Sequence, residues 1–600
     1  MDRKSIIVLV FCFALLLLWS TVIVPKLYPP KPLRPGMTNA PAAIPAFGVT
    51  NTAAAPAPAS ASAAPPPAEL PWLANTNRPE ELLVVTNEDA RFTFTSYGGG
   101  LKLIELVDYP ETVASRRGKP AATNRFATLN TQASVPTLAL QDGPAMQGDG
   151  IFILTPTAGG VRAEKTLANG LTLIKEFTSG TNYLLAATVR LENHSTNALS
   201  LPAQEWVVGT ATPMGPQDNG MAVGMIWYNG EKAADIVGAS YFSSRGFACT
   251  PRTPPAEYRG GSNNVVWAAV HNQFFALVAM PQEPAAEVVM RKIELPPPDA
   301  GQLRETPRAT RFPLGYEARL VYPALTLAAN QSTQRQFYFF AGPKEYSTLA
   351  RIAARFNNNV DAVMNFGWTG FISKALLLGM NTLHSALHLS YGWAIIAITV
   401  IIKGVFWPLT QSSTRSMKRM QELGPQMKEL QAKYKDDPQK LSQKQWEFWK
   451  KNKVNPMGGC LPMLLQMPVL FGFFYMIRSA IELRGAPFLW VADLSNPDTL
   501  FIIPGLDLPF NLLPLLMAGT SVWQAHLTPM SPGADPMQQK MMRYMPAIMV
   551  AIFYTLPAGL TLYYTVQSLL SVLQTKLIRT QQAAAPAPAP VLTPPPKKRK

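Results

Sequence analysis

Hydropathy divides the chain into parts of different texture. Near the amino end Asp2-Arg3-Lys4 is followed by an apolar run of 19 residues, Ile6 to Val24. As a helix that run is about 29 Å long, close to a hydrocarbon core of about 30 Å. Its long core, with no small-x-small site behind it, predicts an uncleaved transmembrane anchor over residues 1–24. Residues 25–77 carry runs such as Ala55-Pro56-Ala57-Pro58 and Pro65-Pro66-Pro67. That composition cannot bury a core and predicts an extended tether.

From residue 78 to 342 the pattern has a period of two, as in Arg91-Phe92-Thr93-Phe94-Thr95, and glycine-rich turns recur. Asn169-Gly170 between Val161–Leu167 and Leu171–Phe177 is a strong hairpin signal. These features predict an antiparallel β-sandwich with no run able to span a membrane.

After Tyr346 the period becomes helical. Residues 343–390 read as a linker and an amphipathic interfacial helix, with Phe371, Ile372, Leu376, Met380, Leu383 and Leu387 at helical spacing. Apolar spans are expected at about 391–409, 460–477, 511–527, 542–556 and 560–578. The last two come from one block of 38 residues, Met541 to Ile578. That block would be about 57 Å long as a single helix, so Pro557-Ala558-Gly559 is read as a turn. Between the first two of these spans, residues 413–453 read as a helical hairpin broken at Asp436-Asp437-Pro438, with an apolar stripe through Met417, Met420, Leu423, Met427, Leu430 and Tyr434. Residues 579–600 form an Ala/Pro-rich basic tail. The expected class is a polytopic α-helical membrane protein of six transmembrane helices plus an all-β domain.

Composition agrees. Hydrophobic residues make up 48% and charged residues 15%, against about 25% charged in soluble domains. The net charge of +16 sits largely in loops between apolar segments, which favours a topology signal over nucleic-acid binding. Residues 410–455 hold 11 Lys/Arg and 5 Asp/Glu, so this segment is placed in the cytoplasm. The loop 479–510, with Glu482, Asp493, Asp498 and Asp507 against Arg484, is placed outside. Six spans then put both termini in the cytoplasm and the β domain outside. Cys12, Cys249 and Cys460 suggest no disulfide framework.

Candidate chemistry is sparse. Lys403 lies inside an apolar run, where a charge costs about 2.5–3.5 kcal/mol on insertion scales. It either snorkels to the headgroups or lines a wet interior. Thr399, one turn earlier, together with Gln466, Gln524, His526, Thr561, Tyr563, Tyr564, Thr565 and Gln567 on other spans, favours a shared wet interior. Sixteen of the 24 methionines follow residue 360, fitting either core filler or an adaptable greasy surface. His384 and His388 lack a third ligand, so no metal is expected. No nucleophile–base or nucleotide motif stands out, and neither an enzyme nor a cofactor is expected.

In order along the chain, Lys453-Val454-Asn455-Pro456-Met457-Gly458-Gly459-Cys460-Leu461-Pro462, Gln466-Met467-Pro468, Leu483-Arg484-Gly485-Ala486-Pro487-Phe488, Asp535-Pro536-Met537-Gln538-Gln539-Lys540 and Pro557-Ala558-Gly559-Leu560-Thr561-Leu562-Tyr563-Tyr564 resemble the YidC membrane-protein insertase family. The anchor, tether and β domain resemble its Gram-negative form, in which the β domain is a periplasmic supersandwich. The resemblance implies residence in the bacterial inner membrane and five spans forming an insertase core around a hydrophilic groove. Nascent membrane proteins would enter that groove, alone or beside the Sec translocon. Carried onto this chain, the groove charge is Lys403. The substrate-contacting residues are Thr399, Gln466, Tyr563 and Tyr564. The cytoplasmic hairpin and basic tail are implied contacts for ribosomes and the signal recognition particle machinery. The family usually has Arg at the position of Lys403; Lys keeps the charge but loses the bidentate fork. The alternative class is a secondary transporter or channel, which the intramembrane charge also fits, though no internal repeat supports it.

Overall fold

The computed structural model describes residues 78–113, 125–131, 133, 135–141, 144–214, 220, 222–231, 235–243, 253–298, 313–434, 437–452, 461–503, 508–527 and 549–583. The expected anchor 1–24, the tether 25–77, part of the 542–556 span, the three cysteines and the tail beyond residue 583 lie outside the described residues.

The period-two half folds as layered antiparallel sheets. A nine-stranded sheet runs in the order Asp235–Gly238, Gly224–Tyr228, Trp267–His271, Phe275–Pro281, Ser332–Pro343, Leu184–Asn193, Leu171–Ser179, Gly160–Thr166, Ile153–Thr157. The Asn169-Gly170 turn joins two of these strands, with Gly170 at φ +83° and Leu167 N–H donating to Leu171 O at 2.8 Å. Two four-stranded sheets cover one face. The first is Leu82–Thr86, Ala90–Thr95, Gly100–Pro110 and Phe126–Leu129. The second is Gln204–Ala211, Leu314–Tyr322, Glu287–Glu294 and Glu257–Gly260.

Strand alternation explains why both small sheets share that face. Phe275 and Leu277 are two residues apart, so they point the same way. Phe275 meets Tyr109 of the first small sheet, with ring centroids 5.4 Å apart. Leu277 meets the second at Gly209, where an added Cβ would lie 2.5 Å from Leu277 Cδ2. The domain is therefore an all-β double sandwich around one apolar layer that includes Phe92, Phe94, Phe177, Trp206, Phe337 and Phe339. Lys175 is buried in this layer and donates to Gly98 O at 2.6 Å and Leu138 O at 2.8 Å, tying two loops to the large sheet.

The helical half begins with α1 (Tyr346–Phe356), α2 (Gly370–Leu387) and α3 (Tyr391–Val405). It continues through α4 (Trp407–Glu422), α5 (Gly424–Lys433), α6 (Pro438–Lys451), α7 (Leu461–Ser479), α8 (Leu512–Leu527) and α9 (Ala558–Ala583). The break read at Asp437-Pro438 is capped: Asp437 Oδ1 accepts from Lys440 N–H at 3.0 Å, and Pro438 opens α6. The helix α2 buries Ser373, Leu376, Leu377 and Met380 and leaves Phe371 and Leu387 exposed. Ser373 Oγ donates to Gly472 O of α7 at 3.0 Å.

Two sequence expectations need correction. The apolar stretch 391–409 is not one helix: it breaks at Phe406, because Pro408 has no N–H to continue the ladder and starts α4 instead. A second break at Leu423, before Gly424-Pro425, splits the first arm of the 413–453 hairpin into α4 and α5. Part of the expected set of six spans lies outside the described residues. Among the described residues no single helix is long and apolar enough to cross a membrane, although Gly367–Leu387 and Tyr391–Val405, bent by 118°, pass that test together. The reason in α9 is its polar content, since Thr561, Thr565, Gln567, Ser568 and Gln574 are buried in one helix.

The β domain is joined to the helices at several points. Trp267 Nε1 donates to Asn358 O at 2.8 Å just after α1. Arg484 Nη2 donates to Pro110 O at 2.7 Å and Glu111 O at 3.0 Å, with its guanidinium over the rings of Phe274 and Phe275.

Candidate functional site, a polar pocket between helices

Lys403 sits in the last turn of α3, whose other residues are almost all apolar. The side chain is half-buried and turns inward: Nζ donates to Ser571 Oγ of α9 at 2.8 Å. The Ser571 hydroxyl donates in turn to Gln567 O at 2.9 Å, which leaves its lone pairs to the ammonium. No acidic side chain faces Lys403 among the described residues. An ammonium out of water without a counter-ion is costly unless hydrogen bonds and a wet pocket compensate.

A small pocket lies beside it. It is partly open, has room for about one water molecule, and its polar lining is Lys403, Thr410, Gln466, Tyr563 and Gln567. Ile402, Phe406, Leu409 and Leu465 complete the wall. The Tyr563 ring stacks on Phe473 of α7 at 4.0 Å and 20°, which locks its direction, and its hydroxyl pairs with Gln466. The site thus draws on α3, α4, α7 and α9.

Polar contacts continue along α9. Ser568 Oγ is 3.4 Å from Ser521 Oγ of α8. Gln574 Nε2 donates to Trp407 O at 3.5 Å. Thr565 and Thr575 spend their hydroxyls on carbonyls four residues back, at 2.7 and 2.8 Å, a pairing open to such residues inside a helix.

The structure brings Lys403, Gln466 and Tyr563 together and leaves out the other two candidates. Thr399 is fully buried, and its Oγ1 donates to Ile395 O at 2.7 Å. It shares a helical face with Lys403, but its hydroxyl is spent on its own helix and it does not line the pocket. Tyr564 packs against Phe553 at 5.1 Å and also lies off the pocket. Two residues not singled out as site residues, Gln567 and Ser571, are central. Their signal is a four-residue step, Tyr563, Gln567, Ser571, along one face of the last helix.

Comparison with known proteins follows the same division. The family model described as YidC periplasmic domain matches residues 82–378. The model described as 60Kd inner membrane protein matches residues 382–585. A protein of Burkholderia cenocepacia (strain HI2424) named membrane protein insertase YidC is 32% identical over 422 residues, covering 70% of this chain and 67% of that protein. One of the same name from Syntrophus aciditrophicus (strain SB) is 29% identical over 600 residues, covering 97% of this chain and all of that protein. A solved structure described as an active YidC insertase crystal structure with the first transmembrane domain resolved aligns over 83% of this chain and 93% of that chain, at 18% identity and a TM-score of 0.32. On the sequence matches, this chain belongs to the YidC membrane protein insertase family.

Proposed function

We propose that the chain integrates nascent membrane proteins into the bacterial inner membrane, using the polar pocket around Lys403 as a halfway station for their polar ends. One observation carries the reading. Lys403 is a half-buried cation with no acidic partner among the described residues, hydrogen-bonded to a single hydroxyl and facing a small, partly open pocket with polar side chains in its wall. A charge left uncompensated by the fold is available to a counter-charge supplied by a substrate.

A polar segment crossing an apolar slab loses hydration at every unsatisfied group. Gln466, Gln567, Tyr563 and Thr410 offer donors and acceptors part-way across. A substrate carboxylate about 4 Å from the ammonium gains about 4 kcal/mol at an effective dielectric of about 20. The substrate's apolar segment then slides past the pocket wall into lipid, and its burial drives the step without nucleotide. One hydroxyl acceptor suits the compact ammonium of Lys, so attraction rather than bidentate geometry is the role assigned to the charge.

In this reading α3, α7, α8, the segment before Pro557 and α9 span the membrane, with the anchor as a sixth span. Both termini are cytoplasmic and the β domain is periplasmic. The α4–α6 hairpin and the basic tail receive ribosomes or signal recognition particle machinery. The protein works alone or beside the Sec translocon. The test is reconstitution: purified protein in liposomes is expected to insert a small Sec-independent membrane protein. Solute flux without insertion would support a transporter instead.

A further inference from the structure

The segment between α7 and α8 contains a feature that the pocket does not use. Thr499–Ile503 and Leu508–Asn511 pair antiparallel as an isolated two-stranded hairpin that runs directly into α8. Phe501, Ile502 and Leu508 are 50%, 56% and 53% exposed. Phe501 and Ile502 are consecutive on one strand, so they point to opposite faces. The ribbon is therefore apolar on both sides, and Phe501 stacks on Phe510 across it at 4.9 Å. Its described residues include no charged side chain.

Two-stranded ribbons are marginal in water, and apolar residues exposed on both sides of one add an aggregation hazard. Here the base of the ribbon is nevertheless tightly fixed. Thr499 Oγ1 donates to Asn511 Oδ1 at 2.8 Å, and Asn511 Nδ2 donates to Tyr554 O at 2.7 Å. Asp498 Oδ2 accepts from Leu513 N–H at 2.6 Å, in the first turn of α8, and from Trp490 Nε1 at 3.2 Å. The ribbon is thus held at the height of the first turn of α8, beside an indole.

We infer that the ribbon of Thr499–Ile503 and Leu508–Asn511 is a lipid-seated blade, lying in the outer interfacial layer of the bilayer with both faces covered by acyl chains and headgroups. The inference rests on the proposed spanning role of α8. Three observations select lipid over a protein partner. A partner docking on the ribbon would cover one face, whereas both are apolar. The apolar surface continues into exposed Leu515, Leu516 and Val522 on α8, which would face lipid in the spanning reading. Trp490, hydrogen-bonded at the base, belongs to a residue type that marks membrane–water boundaries. The depth is bounded too. Among the described residues both outer edges of the ribbon are unpaired, and hydrocarbon cannot satisfy their backbone groups.

The test uses full-length protein with Cys12, Cys249 and Cys460 replaced by Ser. Single cysteines at F501C, I502C or V522C carry an environment-sensitive fluorophore, and each protein is reconstituted into phosphatidylethanolamine–phosphatidylglycerol vesicles. Lipids bearing a nitroxide near the headgroup, for 501 and 502, or in the middle of the acyl chain, for 522, are compared with aqueous iodide as quenchers. The inference expects loss of emission to the lipid nitroxide, and little to iodide, at 501 and at 502, with 522 quenched by lipid as well. Iodide quenching at 501 and 502 while 522 stays lipid-quenched would overturn the blade and leave the spanning reading standing. Protection of either face from both quenchers would overturn it in favour of a protein cover. If 522 is not quenched by lipid, the spanning reading falls and the blade falls with it.

Discussion

Replacing Ser571 by Ala removes the hydroxyl that holds the Lys403 ammonium at 2.8 Å and leaves the pocket walls in place. A hydrogen bond to a charged group is worth about 1.5–3 kcal/mol. Lys403 is only half-buried, so on losing this acceptor it can swing towards water or headgroups, and the lower end of that range applies. About 1.4 kcal/mol corresponds to a tenfold shift in the population pointing into the pocket. The expected result is a drop of up to about tenfold in the rate at which proteoliposomes insert a Sec-independent substrate, by the same conversion. Ser571→Thr keeps a hydroxyl at that position and is expected to restore most of the rate. Thermal stability in detergent should barely change, since Ser571 is only half-buried and Ala suits a helix. Wild-type insertion by Ser571→Ala, alongside impaired insertion by Lys403→Ala, would refute the positioning role.

Three further perturbations probe the frame. In the β domain, burial pulls the Lys175 ammonium down to about 7. The unfolded chain therefore takes up this proton near pH 10.4 and the folded chain only near 7, so stability rises with pH across that window by up to about 1.4 kcal/mol per unit. Urea midpoints of wild type minus Lys175→Met should show that slope between pH 7.5 and 9.5, and a flat difference would contradict it. Gly472→Val puts a Cβ 2.6 Å from Ile372 Cγ2 and should cost about 1–3 kcal/mol at the α2–α7 contact, read as a lower melting temperature in detergent. Arg484→Ala removes both hydrogen bonds to residues 110 and 111. It should raise hydrogen exchange at residues 109–113 and leave the Phe275–Pro281 strand unchanged; equal protection in both proteins would show that the guanidinium does not hold the β domain.

Much of the fold can be read locally. Asn169-Gly170 calls for positive φ at a turn, and Asp437-Pro438 for a cap and a first helical turn, so both are visible in short windows. The change from period two to helical period marks where sheets give way to helices. Non-local facts are less legible. Lys403 and Ser571 are 168 residues apart, and only the packing of α3 on α9 brings them together. Thr399 shares the face of Lys403 by period, yet neighbouring helices bury it. The break at Phe406 had a local signal in Pro408, masked by the apolar run that continues through Trp407. The 499–511 ribbon was hidden by the acidic residues around it, which made the whole segment read as a polar external loop.

Charge reversal at Lys403 tests the central idea most directly. Two otherwise identical substrates, one with an acidic and one with a basic external tail, are inserted by wild-type and Lys403→Glu proteoliposomes. If the lone ammonium recruits counter-charge, the wild type favours the acidic tail and Lys403→Glu reverses the preference, while Lys403→Arg keeps the wild-type order. Equal rates for both tails in every protein, or a uniform loss that leaves the preference unchanged, would contradict the role assigned to Lys403.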